Sequence, residues 1–116
     1  VPVPPLSPEQ RAAALAKAAQ ARRTRAEARE RLRTAGSRLP HVLDEVVSRA
    51  EFEPAIAKMR VAALLDALPG IGKVRAAEIM ARLEISPTRR VRGLGAKQRA
   101  ALASEFGTAV RQLGQP

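Results

Sequence analysis

Large apolar residues recur at helical spacing through most of this chain. Leu39, Val42, Leu43, Val46 and Val47 stand at i, i+3, i+4, i+7 and i+8, the stripe of a helix facing a core. Val61, Leu64, Leu65 and Leu68 repeat the spacing, as do Ala76, Ile79, Met80 and Leu83, and then Leu102, Ala103 and Phe106. No apolar–polar alternation of useful length occurs, and β-branched runs are few. The pattern predicts an all-α protein.

The first third is patterned differently. Residues 1–6 carry Pro2, Pro4 and Pro5 and should form an extended tail. Ser7-Pro8-Glu9-Gln10 is a helix start: Ser7 as cap, Pro8 at the first helical position, and Gln10 to close a capping box. No Pro or Gly then interrupts the chain until Gly36, so one helix of about 40 Å is expected. Leu15 and Leu32 are its only large apolar residues, whereas Arg22, Arg23, Arg25, Arg29, Arg31 and Arg33 lie along it. With so few anchors, at least its first half should project from the domain. It reads equally as a solvated helix or as an arm lying along phosphates. Glu27 and Glu30 are spaced to pair with Arg31, Arg33 or Arg23, each pair contributing a few tenths of a kcal/mol.

Turn residues set the remaining boundaries. Ser37 is placed to cap the second helix, and a short helix at 54–58 follows the break at Glu51-Phe52-Glu53-Pro54. Pro69 should stop the helix that starts near Val61, Lys73 should open the next, and a last helix at 96–106 should end at Gly107. The expected division is a tail and long basic helix at 1–36, a compact domain at 37–107, and a flexible tail at 108–116.

The balance of charge narrows the function. The 116 residues carry a formal charge of +10 with pI near 11.6, and 46% are hydrophobic, much of that alanine. A domain so basic should associate with a polyanion, nucleic acid before an anionic membrane surface. Without cysteine there is neither a disulfide nor a thiolate zinc site. No apolar run is long enough for a membrane span, and no secretory signal is seen, so a cytosolic protein is expected. His41 is the single histidine and reads as a surface residue; no metal-spaced cluster, Gly-x-Ser-x-Gly or Walker string occurs. Neither an enzyme nor a cofactor is expected.

The candidate chemistry lies in two glycine corners. Leu68-Pro69-Gly70-Ile71-Gly72-Lys73 should be a tight turn opening a helix that exposes unpaired N–H groups at the positive end of its dipole. Glycine lets a phosphate approach the main chain, and Lys73 and Arg75 add charge. The segment resembles the helix–hairpin–helix motif of DNA-binding proteins. Arg89-Arg90-Val91-Arg92-Gly93-Leu94-Gly95 repeats the Gly-apolar-Gly theme, with Lys97 and Arg99 in the following helix. Cations at a helix N-terminus oppose the dipole, so an anion is expected between them. Phe52 and Phe106, the only aromatics, sit at expected core positions. Without stacking platforms, duplex is favoured over single strand.

Taken in order, the segments Pro5-Leu6-Ser7-Pro8-Glu9-Gln10-Arg11, Ala67-Leu68-Pro69-Gly70-Ile71-Gly72-Lys73-Val74-Arg75-Ala76 and Arg89-Arg90-Val91-Arg92-Gly93-Leu94-Gly95 are similar to the actinobacterial integration host factor family. The resemblance covers nearly the whole chain to Phe106. It implies a nucleoid-associated protein with a long N-terminal helix and a small helical domain like the helix–two-turns–helix fold. Such a protein binds duplex DNA with low sequence specificity, alters its bending and topology, and assists phage integrases in site-specific recombination. Carried over by position, Gly70, Ile71, Gly72 and Lys73 would hold one phosphate stretch, and Arg89, Arg90, Arg92 and Gly93 another. Arg75 and Lys97 complete the expected DNA-binding set, in a monomer that does not engage membranes. The alternatives are a structured-RNA or ribosome-associated protein, a small repair or recombination enzyme and, more weakly, a basic amphipathic membrane binder, for which the first helix lacks the Trp, Phe and Leu face.

Overall fold

The computed structural model describes residues 4–114, and side chains as far as residue 107. Six α-helices follow one another: α1 Pro8–Arg33, α2 Leu39–Ser48, α3 Pro54–Ala57, α4 Val61–Asp66, α5 Lys73–Arg82 and α6 Ala96–Gly114. Among the described residues there is no strand, only an isolated antiparallel bridge between Arg60 and Arg90.

The start of α1 is built as its sequence requires. Gln10 N–H donates to Ser7 Oγ at 3.1 Å, and Ser7 N–H donates to Gln10 Oε1 at 2.9 Å, a reciprocal capping box with Pro8 in the first turn. Pro4, Pro5 and Leu6 are exposed and non-helical; Val1 to Val3 lie outside the described residues. The two leucines of α1 part company. Leu32 and Ala28 are fully buried, whereas Leu15 is 64% exposed. The C-terminal half of α1, which carries Arg22 to Arg33, packs on α2 and α3, and the alanine-rich first half extends away, giving a molecule of 61 × 27 × 25 Å.

The core draws on every helix. Leu32, Val46, Ile56, Val61, Leu64, Leu65 and Met80 are its largest fully buried side chains, and α2 packs most extensively on α6. All four apolar stripes face inward, although Leu83 and Ala103 are only partly covered. Phe106 is buried as expected.

Phe52 is not: it is 82% exposed. It follows a 3-10 turn at Arg49–Glu51, and the core position in this region is taken by Ile56, in the short helix that Pro54 opens. Arg49 holds the turn by donating to Glu53 and to Glu27 of α1, the latter at 2.7 Å. Glu53 is pulled below the usual glutamate range by its hydrogen bond from Arg49, and Arg49 is raised in turn. Glu27 therefore serves a tertiary contact; the intrahelical pair is Glu30–Arg33, at 2.7 Å.

Three expected boundaries are moved. Ser37 makes no cap bond; Gly36–Arg38 forms a 3-10 turn, and α2 starts at Leu39 with Pro40 in its first turn. Helix α4 ends at Asp66, before Pro69, because a residue preceding proline is sterically held out of the helical region and the chain turns earlier. Gly107 does not stop α6, which continues to Gly114. Its backbone lacks the positive φ of a C-terminal glycine, and it sits half-buried near the Pro40 ring. A helix-interior glycine costs about 1 kcal/mol without breaking the helix.

Candidate nucleic-acid interface

The first corner is a turn followed at once by an uncapped helix. Ile71 N–H donates to Leu68 O at 3.1 Å, closing the turn, and Gly70 sits at φ +75°, where residues with a Cβ are strained. Gly72 occupies the N-cap of α5 with extended backbone. Having no side chain, it offers no acceptor to the first turn. The N–H groups of Gly72, Lys73, Val74 and Arg75 have no acceptor among the described residues; the first bond is Ala76 N–H to Gly72 O, at 2.9 Å. Gly72, Lys73 and Arg75 are exposed. Ile71 is partly buried against the core and its amide is committed to the turn, so it braces the corner rather than presenting a donor.

Replacing the two glycines should separate shape from approach. A Cβ meets nothing within 4 Å at either position, but only Gly70 has a positive φ. Gly70→Ala is expected to destabilise the fold by about 1–2 kcal/mol through backbone strain. Gly72→Ala should leave thermal stability unchanged, and a loss of polyanion binding there would report a ligand resting against the main chain.

The second corner is fastened to the chain leading into the first. Val61 N–H donates to Arg89 O at 2.9 Å, and Val91 N–H donates to Met59 O at 2.8 Å. This short antiparallel pairing sets Arg90 opposite Arg60, both exposed. Arg60 is a residue that sequence reasoning missed: its partner stands 30 positions away, and nothing local marks it. Like charges directly opposite each other on paired strands destabilise unless an anion lies between them.

The arginines of this corner are oriented by backbone. Arg89 Nη1 donates to Gly93 O at 3.1 Å, and Arg90 Nη1 donates to Lys58 O at 2.6 Å. Gly93 N–H is spent on Arg90 O; what glycine supplies there is room, since a Cβ would stand 3.0 Å from Arg89 Cδ. Gly95 N–H donates to Gln98 Oε1, and Gln98 Nε2 donates to Glu84 O, which leaves the amides of Ala96, Lys97 and Gln98 without acceptors among the described residues.

Arg99 belongs to a different task. It donates to Asp44 Oδ1 at 3.0 Å and to Ser48 Oγ, tying α6 to α2. Arg82 is likewise used internally, gripping Glu105 through two hydrogen bonds of 2.8 and 2.6 Å. That contact holds the Glu105 carboxyl below its usual range. By contrast, Arg60, Lys73, Arg75, Arg89, Arg90, Arg92 and Lys97 have no carboxylate partner among the described residues. The molecule thus sorts its cations. Arg31, Arg49, Arg82 and Arg99 are neutralised by tertiary partners; those at the two corners are left open, as are Arg22, Arg23, Arg25 and Arg29 along α1.

Two helix starts with unspent amides, edged with unneutralised cations, and a two-bond ladder that fastens residues 89–91 to residues 59–61 define a basic helical domain of the helix–two-turns–helix class. Residues 32–106 match the family described as S13-like H2TH domain. The chain belongs to the actinobacterial integration host factor family. It is 56% identical over 107 residues to the integration host factor of Mycobacterium tuberculosis, covering 92% of this chain and 98% of the relative. It is 57% identical over 106 residues to that of Streptomyces coelicolor, covering 91% and 95%. A solved structure described as sIHF bound to an 8 bp palindromic DNA matches with TM-score 0.71 and 54% identity, over 78% of this chain and 98% of that one.

Proposed function

We propose that this protein is an architectural, non-enzymatic DNA-binding protein that grips duplex backbone with both glycine corners. The observation that carries the reading is a cluster of cations: Arg89, Arg90 and Arg92 line one pocket, with Arg60 paired opposite Arg90, all without carboxylate partners among the described residues, and the helix starts of the two corners have unspent amides. A phosphate on either helix start meets converging N–H donors and a favourable dipole end. The exposed arginines add charge-assisted contacts, two-pronged where geometry allows. Gly70, Gly72, Lys73 and Arg75 form one contact, braced by Ile71. Arg89, Arg90, Arg92, Gly93 and Lys97 form the other.

Backbone contacts position a protein without reading sequence, so binding is of low sequence specificity and works by shaping the duplex. The relative solved with DNA supports duplex as the ligand. On this reading the chain acts in the nucleoid as a monomer. It bends DNA or alters its topology, and it assists phage integrase in site-specific recombination. The arm is the first half of α1, and the DNA-gripping domain runs from the buried end of α1 at Ala28 and Leu32 into α6.

A salt series is the direct test. Each neutralised phosphate should contribute about −0.9 to the slope of log K against log salt, so five to seven contacts predict a slope of roughly −4.5 to −6. A flat dependence would remove the phosphate grip. Tighter binding of structured RNA than of duplex in direct competition would favour the ribosomal alternative.

A further inference from the structure

An open pocket of about 340 Å³ lies beside the second corner, lined by Ser86, Thr88, Arg89, Arg90, Arg92 and Gly93. Two of its walls are hydroxyls, on a connection whose sequence marks a turn and no binding role. We propose that Ser86 and Thr88 form the neutral half of a phosphate seat, donating one hydroxyl hydrogen bond to the same anion that the arginines neutralise. The inference rests on the DNA-binding reading above and adds residues and a contact type to it.

The hydrogen-bond count supports one outward donor. Ser86 Oγ and Thr88 Oγ1 are 3.2 Å apart, so one hydroxyl donates to the other. Thr88 N–H also points at Ser86 Oγ, at 3.4 Å. One O–H is spent within the pair and the other remains, whichever way the pair is oriented. The remaining proton belongs to a hydroxyl that is itself accepting, which strengthens it as a donor. Both residues are exposed, and their own turn is fixed by Arg89 N–H donating to Ser86 O at 2.9 Å. That bond sets the hydroxyl pair against the base of Arg89, whose guanidinium is turned back to Gly93 O. No carboxylate lines the pocket. Three guanidinium groups and one free O–H, with no carboxylate to compete, make a site suited to an oxyanion. In this protein that anion is a backbone phosphodiester.

A neutral donor has a signature that a cation lacks, because it adds affinity without releasing counterions. Ser86→Ala combined with Thr88→Val should weaken duplex binding about tenfold, with the slope of log K against log salt unchanged. Thr88→Glu places a carboxylate in the same seat. It should weaken binding about a hundredfold and make the salt slope shallower by about one phosphate equivalent. Unaltered affinity in the neutral double variant would overturn the proposal. So would a changed slope in that variant, which would show that the arginines had been disturbed instead.

The seat can also be tested without DNA. Titrating inorganic phosphate into the full chain should shift the amide signals of Ser86, Thr88 and Arg89, and the double variant should lose those shifts. If the wild-type chain failed to bind duplex yet kept this response, the DNA reading would fall while the seat stood. If duplex bound normally but phosphate left those amides unmoved, the seat would fall alone.

Discussion

Arg89→Ala with Arg90→Ala is expected to weaken binding to every duplex alike, by about 2–4 kcal/mol, or roughly thirty- to a thousandfold. The salt slope should become shallower by about 1.8, two phosphate equivalents. Neither side chain is part of the core: both are exposed, and each donates to a single backbone carbonyl, that of Gly93 or Lys58, which water can satisfy in the variant. The antiparallel pairing that fastens this corner uses the backbone of residues 89 and 91 and survives the substitution. The thermal midpoint should therefore hold while binding is lost. Arg89→Lys with Arg90→Lys makes the complementary case, retaining the slope but losing two-pronged contact. A loss confined to one DNA sequence would indicate base readout. Wild-type affinity in the alanine variant would move the interface elsewhere.

Leu32→Ala should be the most destabilising of the substitutions considered. Leu32 is fully buried, where the basic helix joins the domain, and it is the only large apolar residue of α1 that is. Truncating such a leucine costs about 2–5 kcal/mol, a large part of the roughly 5–15 kcal/mol that holds a small domain together. Leu15→Ala, on the projecting half of the same helix and 64% exposed, should fall within about 0.5 kcal/mol of wild type. Denaturant unfolding of the two variants measures both. Equal losses would mean that the arm packs along its whole length in solution.

Those two leucines show how far sequence reaches. They have the same chemistry in the same unbroken helical pattern, and the paucity of anchors did predict that part of the helix would project. Which leucine was buried depended on α2 and α3 arriving beside residue 32. Phe52 was misplaced for a related reason: its neighbourhood has no period, so residue type was the only guide, and Ile56 took the core position. Arg99 was read as part of a corner because it follows one in sequence. In space it faces Asp44, 55 positions earlier.

By itself the sequence determined the helices with strong periodicity, the capping box at Ser7 and Gln10, the glycine corner ahead of Lys73 and the excess of positive charge. Each of these is a local property, set by the spacing of a few residues or by composition. Tertiary structure decided which cations are neutralised and which stay open. Arg82 and Arg99 find carboxylates, and Arg49 its second one on α1, only when distant helices meet, and Arg60 joins Arg90 only because a two-bond ladder brings residues 59–61 against 89–91. A charge acts over a few ångströms of space, and chain order does not record that distance.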